Sequence, residues 1–194
     1  MNVYDFDNTI YKGESLFDFY FFCLKRDVRF IKFFFAITFN VFKYELCLIS
    51  NEKLMKLCEK YIFDALKMCP VYEEWVEEFW VKNIKKIKPF YLSQKREDDV
   101  ILSAAFGIML RPVCRKLNIS EDNLLCSEID LKEQKIVKLC FRENKPKMFD
   151  EKFGNVKIDS FYTDSFNDKP FIERAERSFI VKGNKIKEIK NGAS

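Results

Sequence analysis

Met1-Asn2-Val3-Tyr4-Asp5-Phe6-Asp7-Asn8-Thr9 opens the chain, a short apolar run that delivers two carboxylates two residues apart. Successive side chains of an extended segment point to opposite faces. Asp5 and Asp7 therefore share a face if extension persists through both, and a β-turn there relaxes this. Two like charges so close need a cation, a proton or nearby donors to compensate them. The economical reading is a metal-dependent carboxylate site at the end of a first strand.

Working outward, 194 residues with 48% hydrophobic and 33% charged content suit a compact protein with a sizeable core. A net charge of +4 from 34 basic and 30 acidic residues leaves no nucleic-acid footprint. The 22 Phe residues, many between Phe17 and Phe42, read as an aromatic helical core. Seven Cys without a C-x-x-C pair read as buried free thiols, and no charged segment followed by an apolar one marks secretion, so reducing cytoplasm is expected. His is absent, which excludes Ser-His-Asp and Cys-His nucleophilic arrangements and His-based zinc sites. Acid–base work must fall to carboxylates, Lys, Tyr or Cys.

From Ser15 to Lys88 the apolar pattern is helical, broken near Arg26-Asp27, Ser50-Asn51 and Cys69-Pro70. Ser15 with Asp18 resembles a capping box, Asp27 can cap a second helix, Pro70 suits the first position of a fourth, and Pro89 stops it. The stretch reads as a four-helix unit inserted after the first strand. Beyond it, short apolar runs predict strands at Asp99–Ser103, Leu124–Ile129, Lys135–Phe141, Val156–Tyr162 and Ser178–Val181. Helices are predicted over Ala104–Leu117, Lys147–Phe153 and Lys169–Ala175, and Asn191–Ser194 as a loose tail. Strands alternating with helices favour a parallel α/β sheet.

Open α/β sheets place ligand crevices at the carboxyl ends of their strands. Asp5 and Asp7 follow the first strand, Ser103 ends another, and Thr163-Asp164-Ser165-Phe166-Asn167-Asp168 follows a late one. Lys147 lies in Asn144-Lys145-Pro146-Lys147 at a helix start. That order of carboxylate, hydroxyl, cation and further carboxylates is what phosphoryl transfer to an Asp requires.

On these motifs the chain resembles the haloacid dehalogenase superfamily hydrolases, in their phosphoserine-phosphatase-like branch. The resemblance implies a Rossmann-like core with a parallel sheet flanked by helices, residues 1–13 and 91–194, and an α-helical cap, residues 14–90. It also implies a phosphatase acting on a small-molecule phosphate monoester. Asp5 is then the nucleophile, Asp7 the general acid and base, and Ser103 and Lys147 the phosphate anchors, with Lys145 as the other lysine available. Mg²⁺ is held by Asp5, Asp7 (through its backbone carbonyl) and Asp164, and Asp168 positions the metal's water or the lysine. Glu14 matches a residue that faces substrate. Two other readings are a phosphotransferase of the same fold and a non-catalytic protein whose aromatic helices contact a membrane or partner. The run Phe33–Phe42 is too short to span a bilayer.

Overall fold

The computed structural model describes residues 1–189 and holds a seven-stranded sheet in the order β4-β3-β2-β1-β5-β6-β7. Strand β1 is Asn2–Asp5, and it lies at the centre between β2 (Val100–Phe106) and β5 (Ser160–Thr163). Beyond these come β3 (Leu124–Asp130) and β6 (Arg177–Lys182), and all five strands run parallel. The edges are antiparallel: β4 (Lys135–Lys138) forms a hairpin with β3, and β7 (Lys185–Ile189) with β6. The expected parallel sheet is thus its centre, and the expected loose tail lies outside the described residues.

Strict alternation sorts the strand side chains into two cores. Tyr4, Ile101 and Tyr162 join one cluster with residues of α4 (Tyr72–Asn83), α5 (Pro89–Gln94) and α6 (Gly107–Lys116). Val3, Val100, Leu102 and Phe161 join the other with α7 (Asn144–Phe153) and α8 (Lys169–Arg174). Helices therefore cover both faces, as buried parallel strands require. Because Asp5 is two residues beyond Val3, its side chain lies on the α7 face.

Several boundaries differ from the sequence reading. Helix α7 starts at Asn144 rather than Lys147, and α5 begins at Pro89, which opens a helix there as well as ending the preceding segment. Pro70 sits in the turn ahead of α4, which starts at Tyr72. Strand β2 runs on to Phe106 past a register shift against β3, so Gly107, not Ala104, starts α6. Ser15 does start α1 (Ser15–Arg26), but Asp18 caps nothing: it takes the Tyr11 hydroxyl at 2.6 Å and Lys86 Nζ at 2.8 Å.

Between β1 and α5 lie α1, α2 (Ile31–Glu45), α3 (Asn51–Met68) and α4. Asp27 accepts from Arg29 N at 2.9 Å over a single 3₁₀ turn ahead of α2, and Ser50 caps α3 by accepting from Lys53 N at 3.2 Å. Cys23, Phe30, Phe33 and Cys69 form their own small core. The segment leaves and re-enters side by side: Tyr11 bridges Ile87, Lys12 N donates to Lys86 O, and Lys88 N donates to Ile10 O at 2.8 Å. Trp80 of α4 fastens the helices to the sheet. It is fully buried, meets Phe6 and Tyr11 edge-on at 6.0 and 5.4 Å, and donates Nε1–H to the Met109 carbonyl at 2.6 Å.

Trp80→Ala removes that packing and leaves the Met109 carbonyl unpaired. We expect a loss of about 3–5 kcal/mol in urea unfolding, with Tm falling by about 10 °C. A loss below about 1 kcal/mol would mean that the helices are held elsewhere.

Candidate active site

Immediately after Asp5 the chain turns. Phe6 O accepts from both Ile10 N and Tyr11 N at 2.9 Å, and Asn8 takes a φ of 57°, a left-handed conformation that Asn tolerates better than most residues. Extension does not persist through Asp7. Its Oδ1 instead accepts the Ser15 N–H at 2.7 Å, so Asp7 caps α1 from seven residues upstream of Glu14, whose own side chain caps nothing. Asn8 Nδ2 holds Glu14 Oε1 at 2.5 Å, which keeps exposed Glu14 beside the turn.

The lysine that reaches Asp5 is Lys145. Its Nζ donates to Asp5 Oδ1 at 2.8 Å and to Asp168 Oδ1 at 3.1 Å, and the residue is 7% exposed. Lys147, the lysine favoured from sequence, is exposed and makes no ion pair with these carboxylates. The physical reason is the earlier start of α7: Lys145 falls in its first turn and faces the sheet, whereas two residues on, about 200° around the helix, Lys147 faces away. The sequence signal was the choice between two lysines flanking Pro146, and periodicity from Phe149 back to Lys145, one helical turn, would have picked the buried one.

Other site residues meet the same edge. Thr9 Oγ1 lies 3.4 Å from Asp5 Oδ2. Thr163, one residue beyond the partner of Tyr4, donates to Asp168 Oδ2 at 2.8 Å and so fixes the carboxylate that shares Lys145. Ser103 is 1% exposed at the carboxyl side of Leu102, the register partner of Asp5, and its Oγ accepts Ala105 N at 3.1 Å. Asp164 is half-buried and close enough to Lys182, Asp168 and Lys145 to feel their charges; Glu14 in turn feels Asp164. The structure thus gathers Asp5, Asp164, Asp168 and Glu14 at one end of the sheet. Sequence reasoning missed Thr163 as an anchor and Lys88, a buried lysine whose Nζ donates to the Asn8 carbonyl.

Burial sets the electrostatics. It pushes Asp5 up to about 7, against the lowering effect of Lys145, with Asp168 and Asp7 adding to the rise. Burial likewise pushes Asp7 up to about 6, against the Ser15 N–H, and raises Asp164. Although burial disfavours its charge, Lys145 is raised by Asp5 and Asp168 and stays cationic. Lys88 is lowered by burial. The site therefore holds carboxylates whose ionisation is under-compensated. Hard oxygen donors short of positive charge suit Mg²⁺. Among the described residues no group of three Cys, Asp or Glu side chains could hold a metal by side chains alone. A site drawing on two carboxylates and a backbone carbonyl does not need one.

A family model of haloacid dehalogenase-like hydrolases matches residues 3–173, and the chain belongs to this family. In fold it is similar to a protein of unknown function from Bordetella pertussis Tohama I, with a TM-score of 0.67 at 15% identity over 92% of this chain and 87% of that one. It is also similar to a phosphoserine phosphohydrolase-like protein from Francisella tularensis subsp. tularensis SCHU S4, with a TM-score of 0.53 at 19% identity over 92% and 86%. No curated protein matches the sequence.

Two stability measurements check this geometry. Lys145→Ala leaves Asp5 and Asp168 buried together without their cation, and should cost about 3–5 kcal/mol in urea unfolding, whereas Lys147→Ala should stay within about 0.5 kcal/mol. Equal costs would refute the placement. Asp5→Asn should act the other way. The folded-state pKa of Asp5 lies above its ordinary value, so its ionisation costs the folded state nothing below about pH 4 and progressively more as pH rises towards 7. The amide escapes that cost while Lys145 keeps Asp168. In chelator the Asn variant should melt a few degrees higher, at ~2–4 °C per kcal/mol, with a larger gain at pH 8 than at pH 5.

Proposed function

We propose that the protein is a Mg²⁺-dependent phosphatase that hydrolyses a small-molecule phosphate monoester through an aspartyl-phosphate on Asp5. The observation that carries this reading is the buried Lys145 shared by Asp5 and Asp168 where the central strands end. A carboxylate repels a phosphate dianion, so a nucleophilic Asp needs fixed positive charge beside it. Lys145 supplies one such charge. Mg²⁺, when bound by the Asp5 and Asp164 carboxylates and the Asp7 backbone carbonyl, would supply the rest by polarising the phosphoryl oxygens.

Asp5 Oδ2, the oxygen not engaged by Lys145, attacks phosphorus as the ester oxygen departs. Asp7 gives that oxygen its proton, then accepts one from the water that cleaves the aspartyl-phosphate, which releases inorganic phosphate and restores Asp5. Its position near 6 suits a group that must both give and take a proton near neutrality. The Ser15 N–H holds Asp7 Oδ1 in place, leaving Oδ2 to carry the proton. Ser103 and Lys145 hold phosphoryl oxygens, and Asp168, fixed by Thr163, keeps Lys145 aimed. Residues 14–90 act as a cap that selects substrate, with Glu14 at its hinge facing the ester. The free thiols of all seven cysteines support a reducing, cytoplasmic setting.

The test is release of phosphate from p-nitrophenyl phosphate with Mg²⁺ and with excess chelator. Activity should vanish in chelator and fall at least ~10³-fold in Asp5→Asn, which lacks the nucleophile, and Asp164→Ala should require more Mg²⁺ for half-maximal rate. Full turnover in chelator, or by a folded Asp5→Asn protein, would overturn the reading.

A further inference from the structure

Helix α2 carries an aromatic face that no described residue covers. Ile31, Phe34, Phe35, Phe39 and Phe42 are all exposed and recur at helical spacing, with Phe35 at 64%, Phe39 at 58% and Phe42 at 59% exposure. The setting of the helix is not slack. On its opposite side Phe33 and Asn40 are buried, and Asn40 Nδ2 donates to Tyr61 Oη of α3 at 3.1 Å, so the fold itself directs the aromatic side outward. A contiguous apolar stripe of this kind marks an interaction surface.

Charge identifies the occupant. From Lys25 to Glu45 the chain carries five basic residues against two acidic ones; Arg26 and Arg29 are ion-paired to Glu78 and Asp27, which leaves the cations Lys25, Lys32 and Lys43 against Glu45. Lys32 and Lys43 are eleven residues apart, about three turns, and so flank the stripe on one side. Lys43 Nζ lies 4.4 Å from the Phe39 ring centroid, stem against the stripe and charged end at its rim, while exposed Lys32 has its Nζ 4.9 Å from the buried Phe33 ring. An antiparallel second copy on this face would set basic flank against basic flank. A bilayer with anionic headgroups meets both the apolar stripe and the cations. At 15 residues α2 is about 22 Å long, short of the ~30 Å hydrocarbon core, and no described helix is long and apolar enough to cross a membrane.

We propose that α2 docks the protein on an anionic membrane surface, lying in the interface with Phe34, Phe35, Phe39 and Phe42 towards the acyl chains and Lys32 and Lys43 among lipid phosphates. This stands apart from the phosphatase reading, because it uses no residue of the Asp5 site.

Vesicle flotation of the whole chain tests it. The protein should float with equimolar phosphatidylcholine and phosphatidylglycerol vesicles, weakly with phosphatidylcholine alone, and less in high salt. The triple variant Phe34→Ser, Phe35→Ser, Phe39→Ser should lose more than ~10-fold in partitioning. Lys32→Gln and Lys43→Gln should each lose about fivefold, and circular dichroism should report all of them folded. Absence of flotation with the anionic vesicles overturns the proposal, as does a triple variant that floats like the parent. Self-association in light scattering that the triple variant abolishes, without flotation, assigns the face to a second copy and overturns it equally.

Discussion

The ion pairs of Lys145 with Asp5 and Asp168 are the constraint on which the rest of the site depends. Three elements meet there: the end of β1, the turn after β5 and the first turn of α7. Without the lysine they would bring like charges together at a buried edge. A buried pair is not in itself a source of stability, since desolvation consumes most of what attraction returns. The raised position of Asp5, with Lys145 already beside it, shows that burial still outweighs the compensation.

That cost has to be met by packing, and the aromatic core next to the site meets it. Tyr4 stacks on Tyr162 at 4.7 Å, and Tyr162 on Phe179 at 4.6 Å, across β1, β5 and β6, the first two of which carry the acidic residues at their carboxyl ends. Phe6, in the turn between the two aspartates, is locked edge-on against Trp80. The same tryptophan joins the helical segment to the sheet, so the turn that sets Asp7 and that segment share one anchor. Where that segment departs and returns, the paired strands of backbone at Tyr11 and Ile87 act as a two-ply strap.

Much of the fold was legible because strands β1, β2 and β5 are buried on both faces and read as apolar runs. Edge strand β7 was not. Its residues Lys185-Ile186-Lys187-Glu188-Ile189 are charged at three of five positions and largely exposed, as edge strands that avoid further pairing must be, so they resemble a solvated tail. The acidic site residues were visible because carboxylates at strand ends have few bland explanations. The lysine was not, because the sequence places two in the same segment and only the helix start decides which faces inward. Asp7 shows the converse limit: its residue type was legible, but its bond to Ser15 N depends on a left-handed Asn8 that no pattern marks.

Phenylalanine is the residue whose meaning changes most between sequence and structure. Read as composition, the aromatic stretch from Phe17 to Phe42 suggests core. In the folded chain Phe33 is buried while Phe34 and Phe35 beside it are not, since consecutive helical residues point 100° apart and α2 has only one side against protein. Phe6, Phe79, Phe149, Phe161 and Phe171 are the ones that build the two sheet cores. A helix apolar all round must be buried on all sides or partnered, and α2 is buried on one. Its outer aromatic stripe and basic flank are therefore a second physical demand made by this sequence, separate from the charge balance at Asp5, and it is a demand that the described residues leave open.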